Sequence, residues 1–246
     1  HAGAQRNIGL YWLRRGDAAR GVGHIAAALS GDASLREEYF PLLLAAAEDP
    51  ALRAALTPIA TEPPRWWGGF FQYASREARS PDTLGALLAL REESADFPPT
   101  AAEREQYLQR LHRDGRVADA YLQWVNGLDP AALQHLGYVF DGGFELPLSN
   151  SGFGWFGNVP RIAGIRISTG ATYGMAGQRA LRIGFSGKRV RFQHLYQNLF
   201  LGPGRYEVSG LARPEGLRAR RGLQWRVQCN AGGNSAANES LRRPLS

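Results

Sequence analysis

Cysteine is nearly missing from this chain, since Cys229 is the only one among 246 residues. A lone cysteine can form neither an intrachain disulfide nor a zinc site built from several thiolates. Long apolar runs are missing too, because no stretch approaches the roughly 20 apolar residues of a membrane-spanning helix. The single cysteine therefore excludes a disulfide framework within these residues, and the short apolar runs exclude a membrane-spanning helix within them. Because the chain opens on His1 rather than Met, we expect a preceding signal or anchor segment to have been lost.

Recognisable catalytic constellations are also lacking. His24, His135 and His194 are isolated and show no metal-ligand spacing, and no Gly-x-Ser-x-Gly nucleophile motif occurs. The glycine run at 152–157 matches a dinucleotide fingerprint, but a strand pattern follows where the phosphate-binding helix should begin. His112-Arg113-Asp114 resembles a kinase catalytic loop without the other kinase motifs. The sequence therefore favours a protein that is not an enzyme, unless catalytic residues lie beyond Ser246.

Lysine is almost absent as well, and the positive charge comes from arginine. Residues 1–140 carry 14 basic and 17 acidic side chains, whereas residues 141–246 carry 15 and 5. The net charge of +7 is therefore −3 in the first part and +10 in the second. Such a basic half favours anionic partners, although an arginine-rich composition can also reflect a GC-rich genome. Five acids are few for the paired carboxylates of a glycoside hydrolase.

The first half of the chain has the spacing of helical hairpins. Apolar residues three and four apart flank a glycine turn at Gly16, and the same plan returns around Gly115. The two glycines are 99 residues apart, or three times 33. Further helices are predicted at 34–48, 50–59, 66–79 and 83–94. With its turn glycines and the small residues after them, this half resembles degenerate tetratricopeptide repeats, and an ordinary helical bundle is the alternative.

An aromatic run at 66–73 permits two interpretations. Flat rings stack on sugars and bases, so the run could be a binding platform. Aromatic and small residues at 66, 67, 70, 71 and 74 also have the spacing of a buried helix face. We favour core packing.

The second half has the pattern of an antiparallel β domain. Strand-like runs lie at 144–147, 155–160, 162–168, 180–185, 190–201, 206–212 and 223–229. Alternation at 181–185, 206–210 and 223–229 predicts one core face and one solvated face for each strand, with Trp225 in the core. Short strands joined by glycine-rich turns are typical of a β-sandwich.

The sequence thus predicts an α+β protein with two segregated domains. An all-α array of helical hairpins occupies residues 1–138, and an antiparallel β-sandwich occupies residues 139–229. Residues 230–246 are predicted to form a polar tail. We expect the sandwich to be cut short, because no terminating element follows the last strand-like run.

The second half also resembles a known family. The strings Gly143-Phe144-Glu145, Gly154-Trp155, 180–185 and 196–206 occur in the order found in jelly-roll carbohydrate-binding modules of the family 4/9, galactose-binding-like type. The resemblance implies a sandwich that binds glycans on a concave sheet face or through loops at one end. It also implies a structural calcium site that includes Glu145, although no second acidic ligand is evident.

Sugar binding needs aromatic faces and planar polar side chains. The glycan-binding candidates are Trp155, Tyr173, Tyr196, Gln197, Gln224, Arg226 and Gln228. Trp155 could equally be a core residue, and the Gln/Arg row of the last strand could be a solvated face. Arg166, Arg182, Arg189, Arg191 and Arg226 could bind the carboxylates of an acidic glycan or could simply be surface residues.

Four functions follow from these patterns. The leading hypothesis, which rests mainly on the resemblance, is a non-catalytic accessory protein of a bacterial envelope. Its helical repeats would hold protein partners in the periplasm. Its jelly roll would bind a polysaccharide, and the basic second half makes an acidic polysaccharide one candidate. The alternatives are a protein-interaction scaffold without glycan binding and the non-catalytic part of a longer enzyme. Nucleic-acid binding ranks last, because the basic half lacks interleaved exposed aromatics.

Overall fold

The computed structural model describes residues 2–157, 164–172, 177–217 and 222–228, together with the backbone of 241–244. The chain divides into two compact units, His1–Arg116 and Val117–Ser246. The first unit is helical, and the second combines short helices with small antiparallel sheets. The domain limits inferred from the sequence stay predictions.

The first unit consists of helices that pack in pairs. Its α-helices are α1 (Ala2–Arg14), α2 (Ala18–Gly31), α3 (Arg36–Glu48), α4 (Thr57–Thr61), α5 (Trp67–Glu77), α6 (Asp82–Glu92) and α7 (Ala101–Arg113). Short 3₁₀ turns at Ala33–Leu35 and Arg53–Leu56 precede α3 and α4. The helices predicted at 34–48, 66–79 and 83–94 are thus confirmed with small shifts of their ends. The prediction of one helix at 50–59 is wrong, because Arg53–Leu56 form a 3₁₀ turn that leads into α4.

Both predicted glycine turns have the same geometry. Gly16 and Gly115 adopt φ of 81° and 76°, a left-handed conformation that glycine enters without a Cβ penalty. At the first turn the Asp17 amide donates to the Trp12 carbonyl, and at the second the Arg116 amide donates to the Leu111 carbonyl. This hydrogen bond to the residue five positions earlier is the mark of a Schellman helix end.

Helices α1 and α2 approach each other through glycines. A Cβ on Gly21 would lie 2.5 Å from Leu13 Cδ2 and 3.3 Å from the Gly9 carbonyl oxygen. A Cβ on Gly9 would lie 2.9 Å from Ile25 Cδ1. The closeness of this pair therefore depends on two positions that have no side chain.

The aromatic run of the first unit is a core element. Trp66 and Trp67 are 2% exposed, and Phe70, Phe71 and Ala74 are fully buried. Edge contacts such as Phe40 against Phe70, with ring centroids 5.6 Å apart, fill this core. The core interpretation of the run is confirmed, and its rings are not available as a binding platform.

One buried ion pair joins several elements of the first unit. Arg91 Nε lies 3.1 Å from Glu103 Oε1, and the two side chains are 2% and 4% exposed. Glu103 Oε1 also accepts from Trp67 Nε1 at 2.6 Å. Glu103 Oε2 and the Thr100 hydroxyl complete a capping box that starts α7. Through Glu103, the network fixes the start of α7 against α5 and α6.

The second unit contains the helices α8 (Val117–Asn126) and α9 (Pro130–Leu133), followed by short strands. The strands are β1 (Trp155–Phe156), β2 (Ile165–Ala171), β3 (Arg179–Phe185), β4 (Tyr196–Gln197), β5 (Gln224–Val227) and β6 (Leu241–Pro244). They form three antiparallel two-stranded sheets, β1 with β4, β2 with β3, and β5 with β6. The described residues show no packing of these sheets into a sandwich.

Several strand predictions need correction. Residues 144–147 form no strand, because the amides of Glu145 and Leu146 donate to the Asp141 carboxylate instead of to a neighbouring strand. Residues 206–212 also form no strand, since no strand of the described residues pairs with them. The run at 190–201 shrinks to β4, and β6 lies within the predicted polar tail. Residues 158–163 and Cys229 lie outside the described residues.

Candidate functional site

Asp141 anchors the loop that follows α9. Its φ of 46° is left-handed, a conformation that aspartate tolerates better than most residues, and its side chain is buried. The carboxylate accepts from the amides of Glu145 and Leu146 at 2.8 and 2.9 Å. Its backbone carbonyl accepts from the Phe144 amide and from Trp155 Nε1. These bonds fix Asp141 and the turn after it relative to strand β1, and the Asp141 amide ties the loop before it by donating to the His135 carbonyl.

Strand β4 places Gln197 beside this loop. In the β1–β4 pair, Trp155 lies opposite Gln197 and Phe156 lies opposite Tyr196. The rings of Phe156 and Tyr196 are parallel, with centroids 4.7 Å apart. Gln197 Nε2 donates to the Phe140 carbonyl at 2.9 Å. The amide of Gln197 is therefore held in one orientation against the loop.

An open groove of about 460 Å³ lies between α8, the loop after α9 and the segment that follows β4. It is lined by Tyr121, Leu136, Gly137, Tyr138 and Phe200. The ring centroids of Tyr121 and Phe200 are 5.2 Å apart. Tyr138 is 76% exposed and Phe200 is 44% exposed. Aromatic side chains with free surface therefore dominate this groove.

The groove continues into a crevice of about 10 Å³, close to the smallest volume that holds one water molecule. The additional lining residues are Trp124, Phe140, Phe153, Gln197, Asn198 and Leu199. Trp124 packs edge-on against Phe140 with ring centroids 4.9 Å apart. Gly152 makes room for this arrangement, since a Cβ there would lie 2.2 Å from Trp124 Cδ1.

Gln197 brings an unsatisfied acceptor to the crevice. Its Oε1 is buried and has no hydrogen-bond partner. The Phe140 carbonyl can only accept, so the amide nitrogen must be the atom that faces it. Buried polar atoms in proteins nearly always have a partner, and an orphan acceptor is therefore a place where a water or a ligand donor would bind.

Of the sequence-predicted glycan residues that the structure describes, Gln197 lines the crevice beside the groove. Trp155 is 8% exposed and packs against Phe144 with centroids 4.8 Å apart, so it is a core residue. Tyr196 is 48% exposed and stacks on Phe156 instead of lining the groove. Tyr173 lies outside the described residues.

The polar row of the last predicted strand stands apart from the groove. Gln224, Arg226 and Gln228 are exposed and lie on or just after β5. Trp225 was predicted to be a core residue, but it is 36% exposed and its ring centroid lies 6.0 Å from that of Trp155. The prediction of a buried face for this strand is wrong, because neither of its faces is covered by a second sheet in the described residues.

Glu145, the candidate calcium ligand, has another role in the structure. Its Oε1 accepts from the amides of Gln178 and Arg179 at 3.0 and 3.3 Å. Gly177 allows this contact, since a Cβ there would lie 2.0 Å from Glu145 Oε1. The residues that the structure describes contain no group of three or more His, Cys, Asp or Glu side chains suited to hold a metal ion.

Most of the groove-lining residues were not predicted from the sequence. Tyr121 and Trp124 have the spacing of an apolar helix face, and Tyr138 and Phe200 stand in irregular segments. The one signal in the sequence was the density of aromatics around residue 140, where the helical pattern ends.

No protein-family model, curated protein or solved structure matches this chain. Among the described helices, none is both long enough and apolar enough to cross a membrane.

Proposed function

We propose that this chain is a non-catalytic glycan-binding and scaffold protein of the bacterial cell envelope, accessory to the assembly or export of a surface polysaccharide. The observation that carries the glycan part is the open groove lined by Tyr121, Tyr138 and Phe200, with the unpartnered acceptor of Gln197 in its crevice.

Aromatic grooves suit sugars for a physical reason. A pyranose ring presents an apolar C–H face that packs on an aromatic ring, while its hydroxyls donate to planar amides. The groove offers the aromatic surface, and the amides of Gln197 and Asn198 line the crevice that adjoins it in the same unit. None of the described residues that line it is a carboxylate, whereas glycoside hydrolysis needs two. This lining supports binding without cleavage.

The finer architecture belongs to the same proposal. A jelly roll would organise the antiparallel pairs β1–β4, β2–β3 and β5–β6 into two facing sheets, and a tetratricopeptide-like array would give the packed helices α1–α7 a partner-binding role. The envelope location and the polysaccharide process follow from the family resemblance and from the net charge of +10 in residues 141–246.

Affinity electrophoresis of the purified chain in gels that contain neutral and acidic polysaccharides tests glycan binding. We expect at least one polysaccharide to retard the protein and Tyr138→Ala to weaken that retardation by about threefold to tenfold, the value of one aromatic contact. Tyr11→Ala is the matched control, because Tyr11 is 48% exposed on α1 of the other unit. Absence of retardation by every polysaccharide in the panel would refute the proposal.

A second candidate function is a protein-interaction scaffold that binds no glycan. The observation that favours it is a set of exposed apolar side chains in the second unit, namely Tyr206, Val208, Leu211, Leu217, Trp225 and Val227. Exposed apolar surface of this kind marks many protein-binding sites.

A further inference from the structure

We infer that the groove binds an uncharged sugar unit and disfavours an acidic one. This inference rests on the proposed glycan function and names the substrate class of the same site. It differs from the expectation that charge alone suggests, since the basic second half predicts an acidic glycan.

The described lining of the groove carries no charged side chain. Every described residue that lines the groove or its crevice is uncharged. A uronate that packed on the rings of Tyr121, Tyr138 and Phe200 would bring its carboxylate against apolar surface, with no cation among the described lining residues. Burial of an unpaired carboxylate is strongly unfavourable, whereas a hydroxyl needs only one hydrogen bond.

Three described arginines of this unit lie away from the described lining of the groove. Arg166 and Arg182 are exposed on β2 and β3, and Arg226 is exposed on β5. None of them is among the described lining residues of the groove. Their charge acts through solvent, where salt screens it, so they can attract a polyanion without selecting one in the groove.

The buried acceptor of Gln197 does not select the ligand, because Gln197 lines the crevice and not the open groove. Gln197 Oε1 is an acceptor, so the atom that satisfies it must be a donor. The crevice has room for about one water molecule, and such a water supplies that donor whichever sugar is bound. The inference therefore depends on the uncharged rings of the groove, which match a ligand with an apolar face and no charge.

The test compares two ligands that differ only in charge. Oligomers of alginate and the same oligomers after carboxyl reduction are titrated into the full chain by calorimetry, at low and high NaCl. Neutral gluco-, galacto- and manno-oligosaccharides are titrated beside them. We expect a neutral or carboxyl-reduced ligand to bind with a Kd that changes less than twofold with salt. Tyr138→Ala should raise this Kd at least threefold.

A second variant tests the role of charge directly. Tyr138 is 76% exposed, so Tyr138→Arg should fold, and it places a cation at the rim of the groove. We expect it to shift the ratio of affinities toward the acidic ligand by at least tenfold. Arg166→Gln, on the exposed face of β2, should leave the affinity for the neutral ligand unchanged.

The outcomes separate the inference from the proposed function. If the acidic form binds more tightly than its reduced form and Tyr138→Ala removes that binding, the groove is an acidic-glycan site and the inference is wrong, while glycan binding stands. If no oligosaccharide of either kind binds, the proposed function fails and the inference fails with it.

Discussion

At the level of single residues, Arg91 shows how the first unit tolerates a buried charge. Its guanidinium donates to Glu103 and to the carbonyls of Ala60, Phe97 and Pro98, at distances between 2.6 and 3.1 Å. All three nitrogens thus have partners, and the charge is neutralised by a carboxylate. A network satisfied in this way rigidifies a core, but removal of one member leaves the others unsatisfied.

We expect Arg91→Met to lower the free energy of unfolding by about 3–5 kcal/mol, because it leaves the Glu103 carboxylate buried without its cation. Urea unfolding followed by far-UV circular dichroism measures the change. The matched control is Arg104→Met, which breaks an exposed Arg–Glu pair with atoms 3.3 Å apart. The control should cost less than about 1 kcal/mol. If the two variants lose the same free energy of unfolding, the buried network stabilises the chain no more than the exposed pair does.

The same network predicts how stability depends on pH. Burial alone raises the pKa of Glu103, but hydrogen bonds from Thr100, Trp67 and Arg91 outweigh it and hold that pKa below its ordinary value of 4.5. A carboxyl whose pKa is lower in the folded state stabilises fully above the unfolded pKa and loses that contribution as pH falls through the folded pKa. We therefore expect stability to decline below about pH 4.5.

Urea unfolding of Glu103→Gln over the same pH range tests this prediction. The variant should be less stable at neutral pH and should lose less stability on acidification than the original chain. Glu92→Gln alters the exposed pair with Arg104 and should leave the acid-induced loss unchanged. If Glu103→Gln loses as much stability on acidification as the original chain, other titrating groups cause that loss.

At the level of elements, the α1–α2 pair predicts opposite effects for two glycines of one helix. A Cβ added at Gly23 of α2 would meet no neighbouring element within 4 Å, whereas a Cβ at Gly21 would meet Leu13 at 2.5 Å. Alanine favours a helix over glycine by about 1 kcal/mol. We expect Gly23→Ala to stabilise the chain by about 0.5–1 kcal/mol. Gly21→Ala should destabilise it by about 1–3 kcal/mol through overpacking.

Thermal and urea unfolding of the two variants give the comparison directly. If both substitutions stabilise the chain, Leu13 moves away at little cost and the close approach of the helices is not set by Gly21. If both destabilise it, an effect other than packing acts at Gly23.

Helices were predictable because their signals are local. The left-handed turns at Gly16 and Gly115 and the buried spacing at 66–74 depend on residues within a few positions of each other. Strands need a distant partner, and alternation alone does not supply one. Residues 181–185 alternate and pair with β2, whereas 206–210 alternate equally well and pair with no strand of the described residues.

The groove was predictable only in part for the same reason. The sequence predicts Gln197 as a planar polar residue on a strand, and its position in β4 confirms the strand. Tyr138 follows α9 and Phe200 follows β4, so 62 positions separate them in the sequence. Nothing in the pattern links them, because the Asp141 loop and the β1–β4 pair bring them to one groove.

At the level of the whole molecule, net charge and exposed apolar surface have opposite effects on self-association. Residues 141–246 carry a net charge of +10, which repels a second copy at low ionic strength. The same part of the chain exposes Val208 at 55% and Leu211 at 78%, and such surface favours association. Salt screens the repulsion and leaves the hydrophobic attraction. Self-association of the chain should therefore increase with NaCl concentration.

Light scattering and binding of the dye ANS across a salt series measure this behaviour. We expect the double variant Val208→Ser/Leu211→Ser to bind less dye and to lose most of the salt-induced association, because it removes apolar surface and keeps the charge. Leu52→Ser is the control, since Leu52 is 39% exposed in the first unit and does not belong to the basic half of the chain. If association falls as salt rises, attraction between opposite charges drives it. The exposed apolar side chains would then give no support to the scaffold alternative.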